Sequence, residues 1–356
     1  MDLSVRTVPP PRGGEATSPL VAAFAEVYRR HCVATFGDDD LADSAEVTAT
    51  AYAEQTYRRK LLVVALDGER VVGGASFGMP LKDNTTLAEG DFAVDPDADP
   101  GTVLPAVWEQ VRAEVVAAGR RTAQVWMSHP LGGDGELLVP RTGAGRLPRD
   151  KVAGTLLELG FELEQVERHS VLDVAAALPR AATEAARARE VAGSAYEVLS
   201  WVGPTPEDLR AGMADLMARM STDVPSGDLE LEPEEWDAER VATGDRVAAA
   251  LGRRKVTSIA REVATGQPVA YTEFVQPGDK PQVAYQEDTL VHAGHRGHRL
   301  GMLVKAANLA VLARELPDVA RVHTWNATEN AHMLAINHAL GFTDRSAEGG
   351  WQLTGL

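Results

Sequence analysis

Apolar positions along this chain fall into one order of runs that occurs twice. In the first half, residues 61–66 and 71–77 flank Asp67-Gly68-Glu69 and predict a β-hairpin closed by an Asp-Gly turn. In the second half, residues 256–260 and 269–274 repeat that plan around a Thr-Gly turn within 264–267. An extended run follows in each half, at 87–94 and 284–291, and leads into an amphipathic helix at 103–118 and 300–316. Strands are expected next, at 122–127 and 321–325. The stretches 156–165 and 334–345 then share Leu-Gly-Phe, as Leu159-Gly160-Phe161 and Leu340-Gly341-Phe342. This reads as a helix stopped by a C′ glycine, with a phenylalanine opening the next strand.

Two helices precede each hairpin, at 19–35 and 42–58 and again at 206–220 and 237–251. A Gly- and Pro-rich loop at 129–151 sets the first half apart, and an Ala/Arg-rich helical segment at 175–192 joins the halves. The expected fold class is α/β (mixed α+β), with two domains of similar plan. Each is a mostly antiparallel mixed sheet flanked by helices. The expected division is 1–175, a helical connector at 176–192, and 193–356.

Composition narrows the class. The chain has 356 residues, 44% hydrophobic and 24% charged, which suits two globular domains. No apolar run approaches the roughly 20 residues of a membrane span. The opening MDLSVRTVPPPRGG lacks the basic-then-apolar order of a signal peptide, and the single cysteine, Cys32, fits a reducing compartment. A cytoplasmic protein is expected. The formal charge of −17 disfavours nucleic acid and anionic membranes as partners. It suits a cationic small molecule such as a polyamine or amino sugar, although a GC-rich coding background yields the same composition.

The densest signal is LVHAGHRGHRLG at 290–301. A strand ends at Leu290 and Val291, and Arg296, Gly297 and Gly301 then lead into the helix. That spacing wraps backbone amides and a guanidinium around an anion at a helix N-terminus. His292, His295 and His298 recur at intervals of three, but they span a turn with no acidic or Cys ligand close by. No metal is expected. No Gly-Lys-Ser/Thr follows, so a nucleotide phosphate loop is excluded. ELEPEE at 230–235 reads as a solvated acidic loop, with Trp236 packing beside it.

With these residues in view, the second half, about 196–356, resembles the GNAT superfamily of acyl-CoA-dependent N-acetyltransferases, in a tandem two-domain, actinobacterial-type form. The family pattern is Arg/Gln-x-x-Gly-x-Gly/Ala after a strand ending in Val. Val291, Arg296, Gly297 and Gly301 fit it. Arg299 stands where the middle glycine belongs, which is tolerable if its φ stays negative. The resemblance implies acetyl-CoA as acyl donor and a small-molecule amine as acceptor. The implied donor-binding residues are Leu290, Val291, His292, Arg296, Gly297, His298, Arg299, Leu300, Gly301, Asn326, Asn330 and Met333. Asn330 is equally a plain helix N-cap.

Strand alternation places Tyr285, Glu287 and Thr289 on the face of Val291. Glu287 is therefore the expected general base, directly or through water, and Tyr285 a second polar contact. Asp288 points the other way unless a bulge shifts the register. Where family members carry a tyrosine that protonates the leaving thiolate, this chain has Asn337, which can only hydrogen-bond the sulfur. In the first half, DPDADPGTV at 95–103 has no arginine and three aspartates, so that half is expected not to bind coenzyme A. The resulting expectation is an N-acetyltransferase using direct attack in a ternary complex, as a monomer or homodimer. The alternatives are an acyl-CoA-binding or regulatory protein that has lost transfer, and a protein amine acetyltransferase.

Overall fold

The structure, a computed structural model, describes residues 3–12, 17–132 and 135–356. Parts of the opening segment and of the 129–151 loop discussed above lie outside the described residues. Contacts divide the chain into two compact units. One comprises Met1–Arg168, Ser226–Leu231 and Arg345–Leu356, and the other His169–Pro225 and Glu232–Asp344.

The first unit opens with β1 (Leu3–Val8), α1 (Pro19–Phe36) and α2 (Ala45–Ala53). It continues through β2 (Arg58–Asp67), β3 (Arg70–Pro80), β4 (Leu87–Val94), α3 (Pro100–Ala117) and β5 (Thr122–Pro130). Short strands β6 (Leu137–Leu138) and β7 (Leu147–Pro148), α4 (Lys151–Glu158) and β8 (Glu162–Asp173) follow. Strands β1 to β5 lie in chain order, antiparallel except for the parallel pair β4–β5.

From His169 onward the second unit takes over. It holds α5 (Val174–Ala192), β9 (Tyr196–Val202), α6 (Arg210–Asp223), α7 (Ala238–Ala250), β10 (Arg254–Glu262) and β11 (Pro268–Gln276). Then come β12 (Val283–Val291), α8 (Leu300–Glu315), β13 (Arg321–Ala327) and α9 (Ala331–Leu340). Its strands are ordered β13-β12-β11-β10-β9, with only β12–β13 parallel. The final strand, β14 (Thr343–Thr354), pairs antiparallel with β5 from Ser346↔Pro130 to Thr354↔Thr122.

The local chemistry explains these limits. Ser18, Ser44, Asp150, Asp173, Asp237 and Asn330 each cap a helix, the side chain accepting from the amide three residues on. Gly341 ends α9 at φ 105°, the left-handed region expected of the Leu-Gly-Phe stop.

Several boundaries differ from the sequence reading. Strands β1 and β9 open the two halves ahead of the helices. Helix α2 stops at Ala53, because Glu54 turns extended and β2 already begins at Arg58. The 176–192 segment is no free connector: Ala177, Ala181 and Ala188 of α5 are buried in the second unit's core. Residues from Arg345 on belong to the first unit, since Ala347 and Trp351 fill its core beside Phe161 and Leu163. The 230–235 stretch is partly bonded: Thr122 donates to Glu230 at 2.7 Å within the first unit. Among the described residues, no helix is long and apolar enough to cross a membrane.

In the second unit α8 covers one face of the sheet. Leu300, Leu303, Val304 and Leu312 pack with Val256, Phe274, Ala284 and Val322. Buried Asn308 fastens the helix to β10, donating to the Val256 carbonyl and accepting from Ser258, both at 2.9 Å. Met213 and Leu216 of α6 cover the opposite face over Ile259, Tyr271 and Leu290.

One α8 residue violates the apolar pattern. Lys305 is buried, and burial alone pulls its ammonium down to about 7. Its Nζ lies 5.7 Å from the Phe342 ring centre, a modest compensation. The unfolded chain holds that proton up to the ordinary lysine range, so the mismatch destabilises the fold below about pH 7 and vanishes as pH approaches 10. Lys305→Met is therefore expected to raise stability by about 2–4 kcal/mol at pH 6–7, the gain fading toward pH 10. Urea melts of both proteins across that range check this; a gain independent of pH would contradict it.

Candidate active site

The site begins where two strands part. β12 and β13 pair from Val283↔Arg321 to Gln286↔Thr324 and no further, although both strands run on. The chain leaves β12 through the Arg296–Arg299 turn and enters α8. The first intrahelical bond there is from the Leu303 amide to the Arg299 carbonyl, leaving the amides of Leu300, Gly301 and Met302 without intrahelical partners. The turn has two left-handed residues, Gly297 at φ 86° and Arg299 at φ 56°. The negative φ expected at Arg299 is thus corrected. A side chain there costs about 1 kcal/mol. The Arg299 guanidinium meets Glu184 of α5 at 2.7 Å. That of Arg296 reaches Asp223 at 3.0 Å and the Val291 carbonyl at 3.3 Å.

A cavity of about 650 Å³ opens over this turn. Of the residues expected to hold an acyl donor, Leu290, Val291, Arg296, Gly297, Arg299, Leu300, Gly301, Asn330 and Met333 line it. Asn330 does so while capping α9, accepting from the Met333 amide at 3.2 Å. The other three are engaged elsewhere. His292 accepts from the Gly294 amide, His298 packs on the Tyr196 ring, and Asn326 accepts from Asn337. Free amides and two guanidiniums at one end suit phosphate oxygens. Leu290, Met333 and Ile336 make an apolar wall suited to a methylene-rich arm.

The other face of β12 carries the titratable groups. Thr272↔Thr289 and Phe274↔Gln286 differ by one register step, so Glu287 and Asp288 together oppose Glu273. This bulge corrects the alternation argument. Thr289 bonds Thr272 at 2.7 Å and Gln286 donates to the same Thr272, all three on the α8 face with Val291. Asp288 instead accepts from Tyr271, a residue packed under α6, at 2.9 Å. Glu287 sits with Asp288 and Glu273 on that side.

Protein packed around Glu287, then the carboxylates of Asp288 and Glu273, push its carboxyl up to about 7, although the residue as a whole is exposed. Burial also raises Asp288, opposed by the Tyr271 hydrogen bond. Glu273 is raised by burial and steadied by Lys255 at 2.8 Å and Thr257 at 2.9 Å. Burial works against the Lys255 ammonium, but Glu273 and Asp245 outweigh it and hold its proton more tightly than usual. Glu234 is held by the indole of Trp236 and by Arg240.

Tyr285 lies edge-on to His323 and Trp325. Those two form a stack with His169, whose Nε2 lies 2.9 Å from His323 Nδ1. Sequence reasoning missed His169 and His323, which are 154 positions apart. Asn337 is buried in α9 and absent from the cavity wall; its amide donates to Asn326 at 2.5 Å and its oxygen has no partner.

Helices on both faces and a parallel strand pair that splays recur in both units, and the amide-rich turn at the mouth belongs to the second. Among solved structures, the chain is similar over its full length to a tandem GNAT protein from the clavulanic acid biosynthesis pathway, determined without acetyl-CoA. The TM-score is 0.73 at 21% identity, covering 99% of that protein. A GCN5-related N-acetyltransferase from Sphaerobacter thermophilus matches 99% of this chain and 95% of its own, with a TM-score of 0.60 at 13% identity. No family model and no curated protein matches the sequence. The fold is that of a tandem GNAT protein.

Replacing Asn337 by alanine removes the donor to the half-buried Asn326 oxygen, together with its own unpaired Oδ1. The expected loss is about 1–2 kcal/mol, read from denaturant midpoints. An unchanged midpoint would show that the Asn337–Asn326 bond carries no stability.

Proposed function

We propose that the second unit is an N-acetyltransferase that moves an acetyl group from acetyl-CoA to the amine of a small molecule. One observation carries the reading. A single strand, β12, ends at an amide- and arginine-lined cavity and carries, just before it, a bulged pair of carboxylates under α6. The pyrophosphate belongs over Arg296–Met302, where Arg296 and Arg299 exchange Asp223 and Glu184 for phosphate oxygens. The amine approaches from the carboxylate face. There Glu287, titrating near 7, takes the amine proton directly or through water. The nitrogen lone pair attacks the thioester carbonyl carbon, the C–S bond breaks and sulfur departs as thiolate. Asn337 supplies no proton to it.

The first unit lacks these parts. The Phe92 amide donates to Met127 Sδ at 3.5 Å, so a methionine side chain lies between β4 and β5. Asp95 pairs with Arg30 at 2.6 Å and Arg70 at 2.9 Å. We infer that this unit does not bind coenzyme A. A second reading, acyl-CoA binding without transfer, draws on the inward turn of Asn337.

Release of free thiol from acetyl-CoA across a panel of small amines tests the proposal. Glu287→Gln is expected to lower kcat roughly a hundredfold and to abolish the rise in rate as pH passes about 7, leaving the KM for acetyl-CoA nearly unchanged. Arg296→Ala is expected to weaken acetyl-CoA binding about tenfold or more by calorimetry. Binding without thiol release over the whole panel would favour the second reading. Absence of binding would end both.

A further inference from the structure

We propose that the first unit holds a binding site of its own for a small organic cation, in the pocket that α1 and α2 form over β2–β4. This does not rest on the reading of the second unit. The pocket has a volume of about 280 Å³, room for roughly seven to nine non-hydrogen atoms. Phe24, Leu62 and the rings of Tyr28 and Tyr52 wall it, and Asp91 of β4 reaches it. The Tyr52 ring is fixed in place, because its hydroxyl donates to the Val8 carbonyl and accepts from the Leu62 amide. Aromatic faces around one carboxylate are the chemistry that selects an ammonium group.

Asp91 accepts from the Tyr28 hydroxyl at 3.2 Å. Among the described residues it forms no ion pair. The other charged groups on the wall are Asp43 and Lys60, whose Nζ is bound to the Ala51 carbonyl at 2.5 Å. Glu348 and Glu167, also acidic, are the further carboxylates coupled to Asp91 and its surroundings. Burial raises the Asp91 carboxyl to about 6, so an acid with no ion pair among the described residues faces the aromatic-walled space, while the Lys60 ammonium on the same wall is turned to the Ala51 carbonyl.

The backbone shows why this site recognises without transferring. β3 and β4 pair without a register shift from Gly73↔Val94 to Gly78↔Glu89. Counting back from Val94 and from Val291, Asp91 matches Asp288 and Gly90 matches Glu287. Gly90 cannot accept a carboxylate side chain, because a Cβ there meets the Ser76 carbonyl at 2.1 Å and the Phe77 ring at 2.7 Å. The first unit thus keeps one carboxylate, Asp91, where β12 carries two, and the place of the other is closed.

Calorimetry on the full chain with choline and n-butylammonium, against the neutral choline isostere 3,3-dimethylbutan-1-ol, tests the site. At least one cation is expected to bind about tenfold or more tightly than the alcohol. Asp91→Asn should weaken it by about tenfold, and Ala51→Phe should abolish it by filling the pocket with Asp91 intact. Thermal unfolding establishes which variants are folded, and either one alone decides the matter. Heat with neither cation, equal affinity for the alcohol, or undiminished binding in a folded variant overturns the proposal.

Discussion

The parting of β12 and β13 after Gln286 and Thr324 is the constraint on which the chemistry of the second unit depends. A strand that loses its neighbour leaves backbone groups with no ladder to join, and leaving such groups unmet inside a protein is costly. Side-chain oxygens beside the opening are unmet as well: Gln286 Oε1, at the last shared pair, and Asn337 Oδ1, next to Asn326 of β13, are buried without partners among the described residues. A packed core with no ligand to receive would fill such an opening with apolar side chains. This one borders a cavity whose polar end is an uncapped helix start.

The bulge in β12 solves a second problem, that of aiming two consecutive carboxylates the same way. In an unbroken strand Glu287 and Asp288 point to opposite faces. The extra residue opposite Glu273 brings both under α6, where the protein packed around Glu287, and then the charges of Asp288 and Glu273, raise its carboxyl to about 7. Such crowding is tolerable because Lys255 neutralises Glu273 and Tyr271 hydrogen-bonds Asp288. A single register shift thus brings the two carboxylates to one face, and their supports come from β10 and β11.

Much of this was legible in the chain. The repeated order of hairpin, strand, helix, strand and helix followed from apolar spacing, since each element buries one face and that face has a period. The phosphate-type turn was legible because glycine and arginine at those positions have few other reasons to occur together. What stayed hidden depends on distant partners. Nothing local in Glu287 and Asp288 announces a bulge, which is set by the pairing of β11 with β12. Nothing in residues 345–354 says that they complete a sheet with β5 some 220 positions earlier rather than the unit they follow. Arg299 was misjudged for a related reason: the turn dictates a left-handed φ there, and the ion pair with Glu184 lies 115 residues away.

The two units show how one backbone plan can carry different side chains at its opening. Both splay a parallel pair after four residues, β4–β5 past Gly90↔Val125 and β12–β13 past Gln286↔Thr324. In the first, Met127 meets the Phe92 amide within the opening, the strand stays in register, and the acids after β4 are bound by arginines. The opening there is occupied by a side chain, yet the pocket on the α1–α2 side needs neither the opening nor the bulge. Side chains such as Met127 suffice to occupy a strand opening, whereas the pocket walled by Tyr28, Tyr52 and Asp91 is shaped by α1 and α2 and does not depend on what that opening holds.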